Sequence, residues 1–171
     1  RRTGRQLDVP VGDALLGRVI DPLGRPLDGA GAIESRERLP VERPAPPIID
    51  RAPVAEPLQT GVKVVDALFP IGRGQRELIV GDRQTGKTSL ALSAILAQRG
   101  TEVLCVYCAV GRRGAEVART VAALRRNGAL AYTTVVIAPA EAEPGLRQVA
   151  PFSAMSVAEA WMEKGRHVLL V

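Results

Sequence analysis

Two textures divide the chain. Up to about Leu58 the apolar residues come in short runs broken by proline; from Thr60 onward compact apolar runs alternate with apolar positions spaced three or four apart. Leu15-Leu16-Gly17-Arg18-Val19-Ile20 reads as a strand. Asp21-Pro22-Leu23-Gly24 then supplies turn chemistry, since proline presets φ and glycine permits φ > 0. Arg43 to Pro57 (RPAPPIIDRAPVAEP) holds too many prolines for a helix or a central strand. It is expected to run as an ordered, extended connection that packs Ile48, Ile49 and Val54.

The second texture predicts strands over Arg76–Val80, Glu102–Ala109, Thr133–Ala138 and Arg166–Val171. Between them fall helices over Lys87–Gln98, Ala115–Arg126 and Pro151 to about Lys164. In the first helix Leu90, Ala91, Ala94, Ile95 and Ala97 keep a helical period; in the second Val117, Val121 and Leu124 share a side. Pro151 suits the first turn of the third. Each helix stops at a cation followed by glycine, at Arg99-Gly100, at Arg126 before Asn127-Gly128 and at Lys164-Gly165. The cation complements the dipole and the glycine takes the left-handed cap. This β-α-β-α-β-α-β order predicts an α/β fold, a parallel sheet covered by helices with right-handed crossovers. Because Val168-Leu169-Leu170-Val171 is a buried-strand pattern with nothing after it, the chain is expected to be a piece of a longer protein.

Composition narrows the class. The chain has 171 residues, 46% hydrophobic, 24% charged and 3% aromatic. That suffices for a sizeable core, and two cysteines exclude a disulfide scaffold. The longest stretch without a charge, Asn127 to Ala140, falls short of the ~20 residues of a membrane-spanning helix. No signal-peptide pattern opens the chain. The net charge of +5 reads as a solvated basic surface. Nearly all of the cations are arginines; the lysines are Lys63, Lys87 and Lys164.

One of those lysines sits in the strongest motif, Gly81-Asp82-Arg83-Gln84-Thr85-Gly86-Lys87-Thr88, which fits G-x4-G-K-[ST] between a predicted strand and a predicted helix. Glycines let the backbone curl until successive N–H groups point at phosphate oxygens, and the helix N-terminus adds partial positive charge. Lys87 would reach the β and γ phosphates, and the Thr88 hydroxyl would ligate Mg²⁺. Hydrolysis would also need a group to orient or deprotonate water. After the next strand the sequence reads Ala109-Val110-Gly111-Arg112-Arg113-Gly114-Ala115-Glu116, arginines where a carboxylate might stand. A guanidinium stays protonated and cannot serve as a base. Glu116 reads as a first-turn helix acid, and Glu141 and Glu143 as loop acids. No residue is therefore assigned a catalytic role.

Pro57-Leu58-Gln59-Thr60-Gly61-Val62-Lys63, Pro70-Ile71-Gly72-Arg73-Gly74-Gln75-Arg76-Glu77-Leu78 and the GDRQTGKT loop resemble the α subunits of F-type ATP synthases. The resemblance runs from Arg2-Thr3-Gly4 through Val9–Val19 and Leu146–Phe152 to the final HVLLV. It implies the end of an N-terminal β-barrel over residues 1–10, then a RecA-like nucleotide domain over 11–171, incomplete at its C-terminal end. It implies ATP or ADP with Mg²⁺ at Gly81–Thr88, with Arg83 and Gln84 among the nucleotide contacts, bound without turnover. The implied partners are β subunits in a hetero-hexameric ring, a γ stalk and a peripheral stalk with δ. The implied location is peripheral, on the cytoplasmic face of a bacterial inner membrane, with ATP synthesis or hydrolysis coupled to proton or sodium-ion transport. Neither nucleic acid nor membrane insertion is implied. The β subunit's catalytic glutamate would fall at Arg112, where α subunits usually carry glutamine. The metal-associated aspartate would follow Val171, and the arginine lent to the β site would lie further on. Alone, the chain is expected to expose an unpaired sheet edge and to bind nucleotide weakly.

Other features carry less. Cys105 and Cys108 form C-x-x-C, but inside a strand an offset of three puts them on opposite faces, as structural cysteines. His167 has no companion ligand at metal spacing, and Trp161 and Met162 read as helix packing residues. A self-sufficient ATPase of the secretion or flagellar type wants a carboxylate at position 112. A Rho-like nucleic-acid translocase wants an aromatic platform that this composition lacks.

Overall fold

A computed structural model describes residue 4 and residues 6–171. Arg1, Arg2, Thr3 and Arg5, which open the stretch assigned above to a barrel strand, lie outside the described residues. In chain order the elements are β1 (Asp8–Pro10), β2 (Val19–Ile20), β3 (Arg38–Pro40), β4 (Pro57–Leu58), α1 (Lys63–Leu68), β5 (Ile71–Gly72), α2 (Lys87–Ala97), β6 (Leu104–Arg112), α3 (Gly114–Arg126), β7 (Thr133–Pro139), α4 (Pro144–Met162) and β8 (Val168–Leu170). They form two compact units, one built from residues 1–43 and 103–171, the other from 44–102.

The first unit carries the main sheet, ordered β2-β7-β6-β8 with every pairing parallel. β7 and the part of β6 from Leu104 to Ala109 are almost wholly buried, which suits a parallel sheet covered on both faces. On one face α4 packs across β6, β7 and β8. Val9, Leu15, Ile20, Val41, Val106, Val136, Val157 and Trp161 meet there in one cluster. β2 joins the sheet at the far side from β8, Val19 opposite Val135 and Ile20 opposite Val136.

The strand expected over Leu15–Ile20 is only Val19–Ile20. A 3-10 turn over Asp13–Leu15 and a left-handed Gly17 (φ 79°) use up its first half. The turn after it is as expected: Asp21 Oδ1 accepts from the Leu23 and Arg25 amides, at 2.8 Å each. Gly24 has φ 80°, and a Cβ on it would sit 2.2 Å from Pro10 Cδ, so glycine is required there.

Four further expectations are corrected. The third helix starts at Pro144, seven residues earlier than expected, with Pro144 at its first turn and Pro151 inside it. Both prolines could open a helix, but only the upstream one does. Pro151 forgoes the amide bond that would reach the carbonyl of Arg147, within a helix held by its buried face. Residues 76–80 are not a strand: they pair with no other strand among the described residues, and Leu78 (84%) and Val80 (83%) are exposed. An extended apolar run becomes a strand only where another strand receives its amides and carbonyls. Ile48 and Ile49 do not pack in the extended connection and are exposed, while Val54, about half exposed, lies against Gly72. Met162 is exposed too, while Trp161 is fully buried.

Arg18 and Asp28 form a largely buried pair in the first unit. Nε and Nη2 of Arg18 donate to the two carboxylate oxygens at 2.7 and 3.0 Å, and the amides of Val19 and Ala30 donate to them at 3.0 Å. The guanidinium, followed by those amides, holds the Asp28 carboxyl well below the usual carboxylate range. A depressed folded pKa stabilises above the unfolded value of ~3.9, and the contribution disappears as pH falls through the folded value. Asp28→Asn should therefore cost about 3 kcal/mol at neutral pH. In urea titrations of the full-length chain at several pH values, the gap between parent and variant should close toward strong acid.

The second unit is held largely by polar ties. The Asp66 carboxylate accepts from the Thr60 hydroxyl (2.6 Å) and from the amides of Thr60 (2.9 Å) and Gly61 (3.0 Å). Those contacts, the Thr60 hydroxyl first, pull its pKa below the ordinary value and fix the entry to α1. Buried Gln98, at the end of α2, donates to the carbonyls of Gln59 (2.7 Å) and Ala94 (2.9 Å). That anchors α2 to the segment before α1.

Candidate functional site

Gly81–Thr88 forms a loop that ends in the first turn of α2. Gly86 precedes the helix at φ 89°, and its carbonyl accepts the first helical bond from Leu90 at 2.9 Å. Gln84 has φ 63°, a positive value shared with no other non-glycine among the described residues. A left-handed backbone costs an L-residue about 1–2 kcal/mol, and such strain concentrates at ligand sites. Gly81, Asp82, Arg83, Gln84, Thr85 and Gly86 are exposed, and Lys87 and Thr88 are half-buried.

Lys87 folds back onto its own loop. Its ammonium donates to the carbonyls of Gly81 (2.6 Å) and Asp82, and lies 3.3 Å from the Thr85 hydroxyl. The loop thus gathers a cation and the N-terminus of α2 in one place, which is the chemistry of polyphosphate binding. The open space around a Cβ at Gly86 leaves room for an approaching ligand. The donor set also suits Mg²⁺ of one kind. No cluster of metal-ligating side chains exists among the described residues. The Thr88 hydroxyl, in the first turn of α2, is a hard oxygen donor of the kind that accompanies phosphate oxygens and water around such a cation.

The end of β6 is the second place of interest. A register shift between Val110 and Arg112, with Gly111 at φ 65°, turns the strand as it finishes, and the Ala140 amide donates to the Arg112 carbonyl at 3.0 Å. The Arg112 guanidinium lies 3.4 Å from Glu116. Glu116 is in the first turn of α3, Arg113 precedes that helix, and Glu143 precedes α4. The thiols lie on opposite faces of β6, Cys108 with the main cluster and Cys105 away from it. Burial pushes Cys105 up to about 12 and Cys108 up to about 11, so neither is a thiolate at neutral pH.

Not all of this geometry is signalled by the residues. The Gln98 anchor had a faint signal, a glutamine at the end of an otherwise apolar helix. The strained Gln84 and the fold-back of Lys87 had none, since G-x4-G-K-[ST] leaves those details open.

A parallel α/β sheet together with a G-x4-G-K-T loop opening a helix defines a P-loop nucleotide-binding protein. The family model described as "ATP synthase alpha/beta family, nucleotide-binding domain" matches residues 61–171, and the chain belongs to that family; its fold is RecA-like. The chain is 64% identical over 170 residues to ATP synthase subunit alpha 2 of Albidiferax ferrireducens, covering 99% of this chain and 32% of that protein. It is 65% identical to ATP synthase subunit alpha 1 of Psychromonas ingrahamii (99% and 33%) and 62% identical to ATP synthase subunit alpha 2 of Syntrophotalea carbinolica (100% and 33%). The chain spans about a third of the length of these relatives.

Proposed function

We propose that this chain is part of an α-type subunit of an F1Fo ATP synthase, and that it binds nucleotide without turning it over. The phosphates of ATP or ADP lie along Gly81–Thr88, with Arg83 and Gln84 contributing contacts. Lys87 would exchange loop carbonyls for phosphate oxygens, and the Thr88 hydroxyl would help to hold Mg²⁺, which would offset phosphate charge. One observation carries the non-catalytic part: a complete phosphate loop occurs in a chain that has arginine at position 112. By resemblance the β subunit carries its catalytic glutamate there. Arg112 cannot take a proton from water, and its neighbour Glu116 sits against that guanidinium.

The proposed assembly is a hetero-hexameric ring with β subunits around a γ stalk, joined to a peripheral stalk with δ. It is peripheral on the cytoplasmic face of a bacterial inner membrane and coupled to proton or sodium-ion transport. No described helix is long and apolar enough to cross a membrane, which is compatible with that placement. Residues 1–10 would end a β-barrel domain and residues 11–171 would begin the nucleotide domain. The full-length subunit should bind Mg-ATP stoichiometrically yet show no steady-state hydrolysis until β is added, measured by phosphate release. Motor-like hydrolysis by the purified subunit alone, abolished by Lys87→Gln, would overturn the reading.

A further inference from the structure

The phosphate motif leaves position 85 open, yet the structure occupies the Thr85 side chain fully. Its hydroxyl donates to the Asp82 carbonyl at 2.8 Å and accepts from the Lys87 ammonium at 3.3 Å, while Lys87 also donates to that carbonyl. Hydroxyl, carbonyl and ammonium form a closed triangle. An ammonium has three N–H donors, and the Gly81 carbonyl, the Asp82 carbonyl and the Thr85 hydroxyl account for all of them. A Cβ at Gly81 would come within 3.1 Å of Thr85 Oγ, so the hydroxyl lies against the start of the loop. Between Asp82 and Thr85 stands Gln84, in its unfavourable left-handed conformation.

From this geometry we infer that Thr85 is a positioning residue. Its hydroxyl closes the turn from Asp82 to Thr85, keeps Gln84 in its strained conformation and stations Lys87 inside the loop before phosphate arrives. Without the hydroxyl the Asp82 carbonyl loses one donor and the ammonium one acceptor. The loop then has to be ordered at the moment of binding, which weakens affinity. The inference rests on the reading that this loop takes Mg-nucleotide.

The test uses the full-length subunit and titration calorimetry with Mg-ATP and Mg-ADP, with melting curves for each protein. Thr85→Val keeps the shape and drops the hydroxyl, Thr85→Ala drops both, and Thr85→Ser keeps the hydroxyl. Val and Ala should weaken Mg-ATP binding about tenfold, through the ordering cost that the free loop no longer meets in advance, and Ser should stay within about twofold of the parent. The loss should be smaller for Mg-ADP, which lacks the γ phosphate that Lys87 would reach. Parental affinity in either hydroxyl-free variant would overturn the inference, and so would a Ser variant as weak as Val. If Val fails to fold, Ala and Ser decide between these outcomes. A parent subunit that binds neither nucleotide would overturn the functional reading itself, whereas a binding parent with unaffected variants would overturn only the role of Thr85.

Discussion

Replacing Trp161 by alanine is expected to destabilise the full-length chain by about 4 kcal/mol, a large share of the stability of an ordinary domain. Trp161 is fully buried and belongs to the cluster that α4 shares with the sheet. Its indole N–H donates to Asp13 Oδ1 at 2.8 Å. Truncation removes the ring, opens a cavity in the cluster that also holds Leu15, Ile20, Val106 and Val157, and deprives the Asp13 carboxylate of a donor. Trp161→Phe separates these terms. It retains most of the apolar surface but loses the hydrogen bond, and should cost about 1–2 kcal/mol. Urea denaturation followed by circular dichroism gives both values; a Trp161→Ala midpoint equal to the parent's would contradict the packing described.

Lys87→Gln is expected to weaken Mg-ATP binding by about a hundredfold while leaving the melting temperature nearly unchanged. Two charge-assisted bonds from the ammonium to phosphate oxygens are worth about 3 kcal/mol together, and 1.4 kcal/mol is a factor of ten. Stability is little affected because the carbonyls that Lys87 contacts, at Gly81 and Asp82, belong to exposed loop residues that water can serve. Calorimetric titration alongside a thermal melt tests both halves. Retained affinity would remove Lys87 from the phosphate site, and a large fall in melting temperature would make it a structural residue.

From Lys87 onward most elements could be read from the residues, because each has a strong local signature. α2, α3, β6, β7 and β8 lie close to their expected places. The phosphate loop was equally plain, since its glycines and lysine are dictated by contact chemistry rather than by distant packing. The differences elsewhere have several causes, of which distant partners are one. Residues 76–80 have a strand's composition but no paired strand, and Leu15–Leu16 are apolar but lead into a turn that Gly17 completes. The pairing of β1 with β3 and of β2 with β7 is invisible in local periodicity. Pro151 misled for a different reason. Proline starts helices well, but tertiary burial can hold one inside a helix when another proline upstream already fills the first turn.

The main sheet borrows β2 from the opening stretch of the chain, and Trp161 closes on an aspartate 148 residues before it. A ribosome delivers residues 44–102 between the two halves of that unit. Val9, Leu15 and Ile20 therefore gain the partners they have in this cluster only once α4 has emerged. A stall in translation before α4 is expected to leave these apolar residues without those partners, a state prone to chaperone capture and aggregation.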